Sequence, residues 1–211
     1  MNSATRTPAP PERGVPSGTV RTLKRDGRRG VFLVRTADGL RQVVKRWPAT
    51  PWEVCKLCLG IAQAQRQLRG ARRLLLAGVS TPRPVGGPRI TTIGGLAVEI
   101  RLDWAEGEPL LDRVRSADEP ELRSLGERMG ALLARVRSAR LFHRDGKLSN
   151  FVVAPTGEII AIDPVGVRTA RDEAREFDRS LASLACELTA DERTRAAPFL
   201  EAARAALLRP R

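Results

Sequence analysis

The stretch His143-Arg144-Asp145-Gly146-Lys147-Leu148-Ser149-Asn150, followed at once by Phe151-Val152-Val153, decides how the rest of the chain is read. It sets a carboxylate and a carboxamide five residues apart, with a lysine between them, in a polar loop that runs into a short apolar strand. The only histidine of the 211 residues opens it. His143 is assigned a structural role. The groups with chemistry to offer are Asp145, Lys147 and Asn150.

Upstream of the loop, Leu122, Leu125, Met129, Leu132 and Val136 recur at spacings of three and four. That stripe predicts an amphipathic helix ending just before His143. Downstream, Phe151 to Val153 and Ile159 to Ile162 flank Pro155-Thr156-Gly157, which predicts a hairpin whose second strand delivers Asp163 ahead of Pro164-Val165-Gly166. Phe177, Leu181, Leu184 and Leu188 then mark one helix, and Pro198 to Leu208 a last one. Toward the N-terminus the pattern changes to strands: Val20 to Lys24, Val31 to Thr36 and Leu40 to Trp47. They are separated by Arg25-Asp26-Gly27-Arg28-Arg29-Gly30 and by Ala37-Asp38-Gly39, the second an Asp-Gly hairpin signal. A helix starts at Thr50-Pro51-Trp52-Glu53, with Thr50 as cap, Pro51 in the first position and Glu53 completing a capping box. Gly60 and Gly70 interrupt its apolar period, predicting two helices or a bent one. Gly78 ends it, and Ile90 to Ile93 with Leu96 to Trp104 form a strand pair around Gly94-Gly95. The class is α+β. Residues 1–17 are Pro-rich and nearly free of large apolar side chains, the composition of a disordered tail.

Hydrophobic content of 42% and charged content of 29% are ordinary for a soluble domain. The net charge of +13 is not, and nearly all of it is arginine, since lysine occurs only at Lys24, Lys45, Lys56 and Lys147. An Arg-rich surface is either simply solvated or attracts anions such as nucleotide phosphates and acidic headgroups. With 4% aromatic residues there is no sign of a base-stacking surface, so no nucleic-acid partner is expected. Three cysteines cannot close a disulfide set, and neither a signal-peptide pattern nor an apolar run of membrane-spanning length is present. These features predict a cytoplasmic location. Cys55-x-x-Cys58 lacks a second ligand pair for zinc and reads as structural.

Phosphoryl transfer asks a protein mainly for positioning and charge neutralisation, from parts that occur in a fixed order along the chain. Val43-Val44-Lys45-Arg46 supplies a lysine on the third strand to contact nucleotide phosphates, where this chain otherwise uses arginine. Gly27 and Gly30 lie in the connection that would cover those phosphates, although they do not match G-x-G-x-x-G. The His143–Asn150 loop follows H-R-D-x-x-x-x-N, with Asp145 as base or orienting carboxylate, Lys147 neutralising the transferred group and Asn150 as a metal ligand. Asp163 closes the series as a second metal ligand, with Gly166 standing near where kinases carry the glycine of Asp-Phe-Gly. Two protein oxygens suit magnesium when substrate phosphates complete its shell.

The chain resembles the bacterial lipopolysaccharide core kinases, including the Kdo (3-deoxy-octulosonic acid) kinase group. The resemblance runs through Leu23-Lys24-Arg25-Asp26, Val44-Lys45-Arg46, Gly78-Val79-Ser80-Thr81-Pro82, His143 to Asn150 and Ile162-Asp163, with Leu188 to Arg193 and Pro198-Phe199-Leu200 similar to the closing helices. It implies a bilobal protein-kinase-like fold with a shortened C-terminal lobe: 18–104 as nucleotide-binding lobe and 105–211 as catalytic lobe. ATP and Mg2+ would be the cofactors and a glycolipid sugar hydroxyl the acceptor. The Arg-rich surface, with Trp47 and Trp52 flanking the first helix, would rest against an anionic inner membrane.

Two departures shape the expectation. Kinases pair the strand lysine with a helix glutamate, yet Glu53 is the only acidic residue between Trp47 and Val98, and alignment on Gly78-Val79 puts Gln67 in the glutamate's place. Gln67 would hold Lys45 by one neutral hydrogen bond. The stretch from Asp163 to Arg211 is also short and lacks Ala-Pro-Glu, which favours a small or sugar-like acceptor. A minimal serine/threonine protein kinase and a pseudokinase binding module are the alternatives. The sequence carries no signature of an oligomeric state.

Overall fold

A computed structural model describes residues 15–27, 29–92 and 95–209. Most of the proposed tail, together with Arg28, Ile93, Gly94, Pro210 and Arg211, lies outside the described residues. The chain is α+β. Its first half builds a five-stranded antiparallel sheet from β1 (Thr19–Asp26), β2 (Arg29–Arg35), β3 (Arg41–Pro48), β4 (Arg89–Thr91) and β5 (Ala97–Asp103), in the order β1-β2-β3-β5-β4. β3 is central: Lys45 faces Val31 across one ladder and Ile100 across the other. One part of the core joins Trp47, Leu68, Val98, Ile100 and Leu102, and a smaller one joins Phe32, Val34 and Val44.

Between β3 and β4 run α1 (Pro51–Cys58) and α2 (Gln63–Leu76). Thr50 Oγ1 accepts from the Glu53 amide at 3.2 Å, so the expected cap forms. Glu53 does not complete the box; its carboxylate takes Lys56 Nζ at 2.8 Å instead. The break between the helices falls at Gly60, whose φ of +74° suits glycine. Gly70 breaks nothing: it sits inside α2 because any Cβ there would lie 1.9 Å from the Pro164 carbonyl oxygen. α2 ends in a Schellman motif, with Val79 N–H on the Leu74 carbonyl (2.9 Å) and Gly78 N–H on that of Leu75 (3.1 Å).

The second half holds β6 (Glu108–Pro109), α3 (Leu110–Ser116), α4 (Glu119–Ser138), β7 (Leu141–His143), β8 (Phe151–Val153), β9 (Ile159–Ala161), β10 (Val167–Thr169), α5 (Glu173–Ala185), α6 (Ala190–Arg195) and α7 (Ala197–Leu208). The stripe Leu122, Leu125, Met129, Leu132 and Val136 is buried in one core with Leu148, Phe151, Leu184 and Phe199. α7 packs closely on α4 because Gly126 and Gly130 present no side chain: a Cβ at either would come within 2.3 Å of the Phe199 or Ala203 carbonyl oxygen. Leu188 lies beyond the end of α5 and is buried there. Trp47 is a core residue, 9% exposed, and so is not available as a surface contact; Trp52, at 62%, is. No described helix is long and apolar enough to cross a membrane.

Candidate functional site

The loop 143–150 is held at both ends and across its middle. β7 pairs with β10, placing His143 opposite Val167, and the Arg144 amide donates to the Gly166 carbonyl at 3.2 Å. Fully buried Leu148 anchors a short 3-10 turn, Leu148–Asn150, that delivers the chain into β8. Asn150 Nδ2 donates to the Asp145 carbonyl oxygen at 2.7 Å, closing the five-residue interval seen in the sequence. The Asn150 carbonyl accepts from the Ile162 amide at 2.9 Å, so the β8–β9 hairpin brings Asn150 and Asp163 within one residue of register. Gly166 completes the fit, since a Cβ there would press on the Asp145 amide at 3.2 Å.

His143 links this loop to Asp163. Its Nε2 lies 3.1 Å from the Asp163 carbonyl oxygen, an atom that only accepts, so Nε2 carries the proton in the neutral ring. Nδ1 is buried without a partner. Burial pushes the imidazole pKa below its ordinary 6.5, against the opposing pull of Asp163 and Asp145.

Lys45 and Asp163 meet across the two halves of the molecule: Nζ lies 2.9 Å from Oδ1, although the residues are 118 positions apart. They line a cleft of about 220 Å³ with Lys24, Asp26, Gly30 and Gln67. Gln67 is 1% exposed, and its Nε2 has no hydrogen-bond partner. The charged partner of Lys45 is therefore Asp163. Gly27 lies at the tip of the β1–β2 hairpin with φ +54° and is not among the cleft-lining residues. Gly30 packs against the edge of the Phe32 ring, which a side chain would displace. The structure thus gathers Lys45, Gln67, Gly30 and Asp163 in one cleft, and ties Asp145 and Asn150 to it through His143 and the β8–β9 ladder.

The sequence reading missed Glu187. Its carboxylate accepts from the Ser149 amide (2.8 Å) and hydroxyl (2.7 Å) and pairs with Lys147 Nζ at 3.2 Å. The hydrogen bond to Glu187 raises the Lys147 pKa. Burial alone would raise that of Glu187, but the bonds from Ser149 and Lys147 outweigh it and hold the carboxyl below its ordinary value. No local motif links positions 147 and 187.

No protein-family model matches the chain, and no curated protein does. Among solved structures it is similar to that of Rv3197 from Mycobacterium tuberculosis, determined as a complex with erythromycin, with 15% identity and a TM-score of 0.51. The match covers 71% of this chain and 46% of that one, so this chain spans less than half of its length. At that identity the likeness is one of fold.

Proposed function

We propose that this chain is an ATP- and magnesium-dependent phosphotransferase of protein-kinase-like, two-lobed design that transfers a phosphoryl group to a hydroxyl. A lipopolysaccharide core sugar is the proposed acceptor. The observation that carries the reading is the Lys45–Asp163 contact beside a loop closed by Asn150 on Asp145. Lys45 and Asp163 line the cleft, and Asp145 and Asn150 join it through His143 and the β8–β9 ladder, the order of parts that phosphoryl transfer needs.

In this reading Lys45 leaves Asp163 for the nucleotide phosphates, and Asp145 takes the proton of the acceptor hydroxyl as its oxygen attacks the terminal phosphorus. ADP departs with the electron pair of the broken bond, while Lys147 neutralises charge on the transferred group. The residues fit magnesium: Asn150 commits its Nδ2 to Asp145 and keeps its carboxamide oxygen, and Asp163 keeps the oxygen that Lys45 does not take. The ion would supply charge neutralisation at the phosphates. Gln67 favours a second reading, a nucleotide-binding pseudokinase, because a neutral amide stands where an acid would hold Lys45.

Contact with an anionic membrane is part of the proposal. Trp52, Leu59 and Ile61 are 62%, 64% and 52% exposed around the α1–α2 turn. Lys56 Nζ lies 5.3 Å over the Trp52 ring, and Arg69 bonds the Gly60 carbonyl at 2.6 Å, so cations border the apolar patch.

The test is ATP turnover by purified protein with magnesium, with and without lipopolysaccharide core saccharide. Saccharide phosphorylation is expected for the wild type, with none for Asp163→Ala, and none for Asp145→Asn despite retained nucleotide binding. Turnover undiminished in Asp145→Asn removes that residue from its role. Binding without any turnover selects the pseudokinase.

A further inference from the structure

Glu187 lies past the end of α5, 38 residues beyond the loop it touches. Its carboxylate nevertheless receives three donors from that loop: the Ser149 amide, the Ser149 hydroxyl and the Lys147 ammonium. A backbone amide and a hydroxyl fix the carboxylate, so the cation it holds is aimed from a rigid mount rather than from another flexible side chain. The Lys147 side chain is 35% exposed, so it remains open in part to solvent. An ordinary surface ion pair has neither the second and third bonds nor the placement between Asp145 and Asn150.

We propose that Glu187 is a positioning residue of the active site, acting through Lys147: it holds the ammonium charged and directed at the phosphoryl group while it passes to the acceptor. The role rests on the phosphotransferase reading for its consequence in turnover, but the clamp itself does not. Lys147 has three N–H donors; one goes to Glu187, and two remain for oxygens of the transferred group. Those bonds strengthen as charge develops, so losing the clamp lowers kcat and leaves the KM for ATP, whose phosphates belong to Lys45, nearly unchanged.

Two measurements on the full chain test this. The first needs no activity: the rate of Lys147 acetylation by acetic anhydride, followed by mass spectrometry across alkaline pH. In Glu187→Gln the midpoint of labelling moves to lower pH; an unmoved midpoint overturns the clamp, whatever the protein catalyses. The second is steady-state kinetics. Glu187→Gln is expected to lose about tenfold in kcat, corresponding to about 1.4 kcal/mol, with Glu187→Asp intermediate and the alkaline limb of the rate profile shifted downward. In a Lys147→Met background the same Glu187→Gln change costs nothing further. A full additional loss there would make Glu187 a structural residue and overturn the positioning role. If Glu187→Gln shows the labelling shift but the wild type shows no turnover, the phosphotransferase reading fails and the catalytic part of this proposal fails with it, while the clamp stands.

Discussion

His143 is the residue whose environment most directly couples the site to stability. Its neutral ring donates from Nε2 to Asp163, and its buried Nδ1 has no partner to welcome a second proton. Because burial depresses the folded-state pKa below the ordinary 6.5, the unfolded chain binds the proton more readily. The contribution to stability is therefore full above about pH 6.5 and is lost as pH falls through the folded value. Melting temperature should fall between pH 7 and pH 5, and the part of that slope due to the ring should vanish in His143→Gln; an unchanged slope would assign it to other groups. Gln67 is the second decisive residue. Converting it to glutamate sets a carboxylate in the cleft that holds Lys45, sharing the ammonium and releasing an Asp163 oxygen. The expected gain is about fivefold in kcat/KM, near 1 kcal/mol, measured with the acceptor saturating. The contact between Asn150 and Asp145 was legible as a five-residue interval within one short run. Glu187 was not, because its partners come from a loop made adjacent only by folding.

Among the elements, the long periodic segments and the β8–β9 hairpin were legible, whereas β7 and β10 were not. The α4 stripe follows directly from spacing, and β3 from its β-type run after the Asp38-Gly39 turn signal. The hairpin showed as two apolar runs flanking Pro155-Thr156-Gly157, but β7 and β10 have three residues each, too few to establish a period, and the β7–β10 pairing that aligns His143 with the 164–166 turn cannot be seen locally. Glycine was the ambiguous letter: Gly60 and Gly70 look alike in sequence, yet one supplies a positive φ and the other a close approach. Their alanine variants separate the two causes. Gly60→Ala meets open space and pays only for its left-handed backbone, ~1–2 kcal/mol. Gly70→Ala improves helix propensity but drives a methyl into the Pro164 carbonyl, so α2 must move off the turn that follows Asp163. Overpacking of this kind costs about 1–3 kcal/mol or more. The expected pattern is a lower melting temperature in both and weakened nucleotide binding, by calorimetry, only in Gly70→Ala. Equal binding would mean that α2 does not set the cleft.

For the whole molecule, the polar contacts that join the two halves among the described residues include Lys45 on Asp163, Arg73 Nη1 on the Val167 carbonyl at 3.2 Å, Thr81 Oγ1 on that of Ala161 at 2.6 Å, and the Ala161 amide on the Ser80 carbonyl at 2.9 Å. They do so in a chain of net charge +13. The α+β class was legible from the strand-rich first half and helical second half, whereas the mutual placement of the halves depends on these long-range contacts. Charge sets the balance that salt can read. Described ion pairs such as Arg41–Glu106 and Arg123–Glu119 are exposed and contribute little. The excess of 37 cationic over 24 acidic residues repels itself over the whole surface. Raising ionic strength from about 0.01 M to about 0.15 M shortens the screening length from about 30 Å to about 8 Å, which relieves that repulsion more than it weakens short pairs. Melting temperature should therefore rise with sodium chloride by a few degrees, roughly the effect of 1 kcal/mol in a chain of this size. Under the proposed function, nucleotide affinity should fall over the same range, because a field drawing phosphate to the cleft would be screened as well. A melting temperature that falls with salt would mean that the ion pairs outweigh the net repulsion, and the positive surface would then be a paired network rather than a standing field for anions.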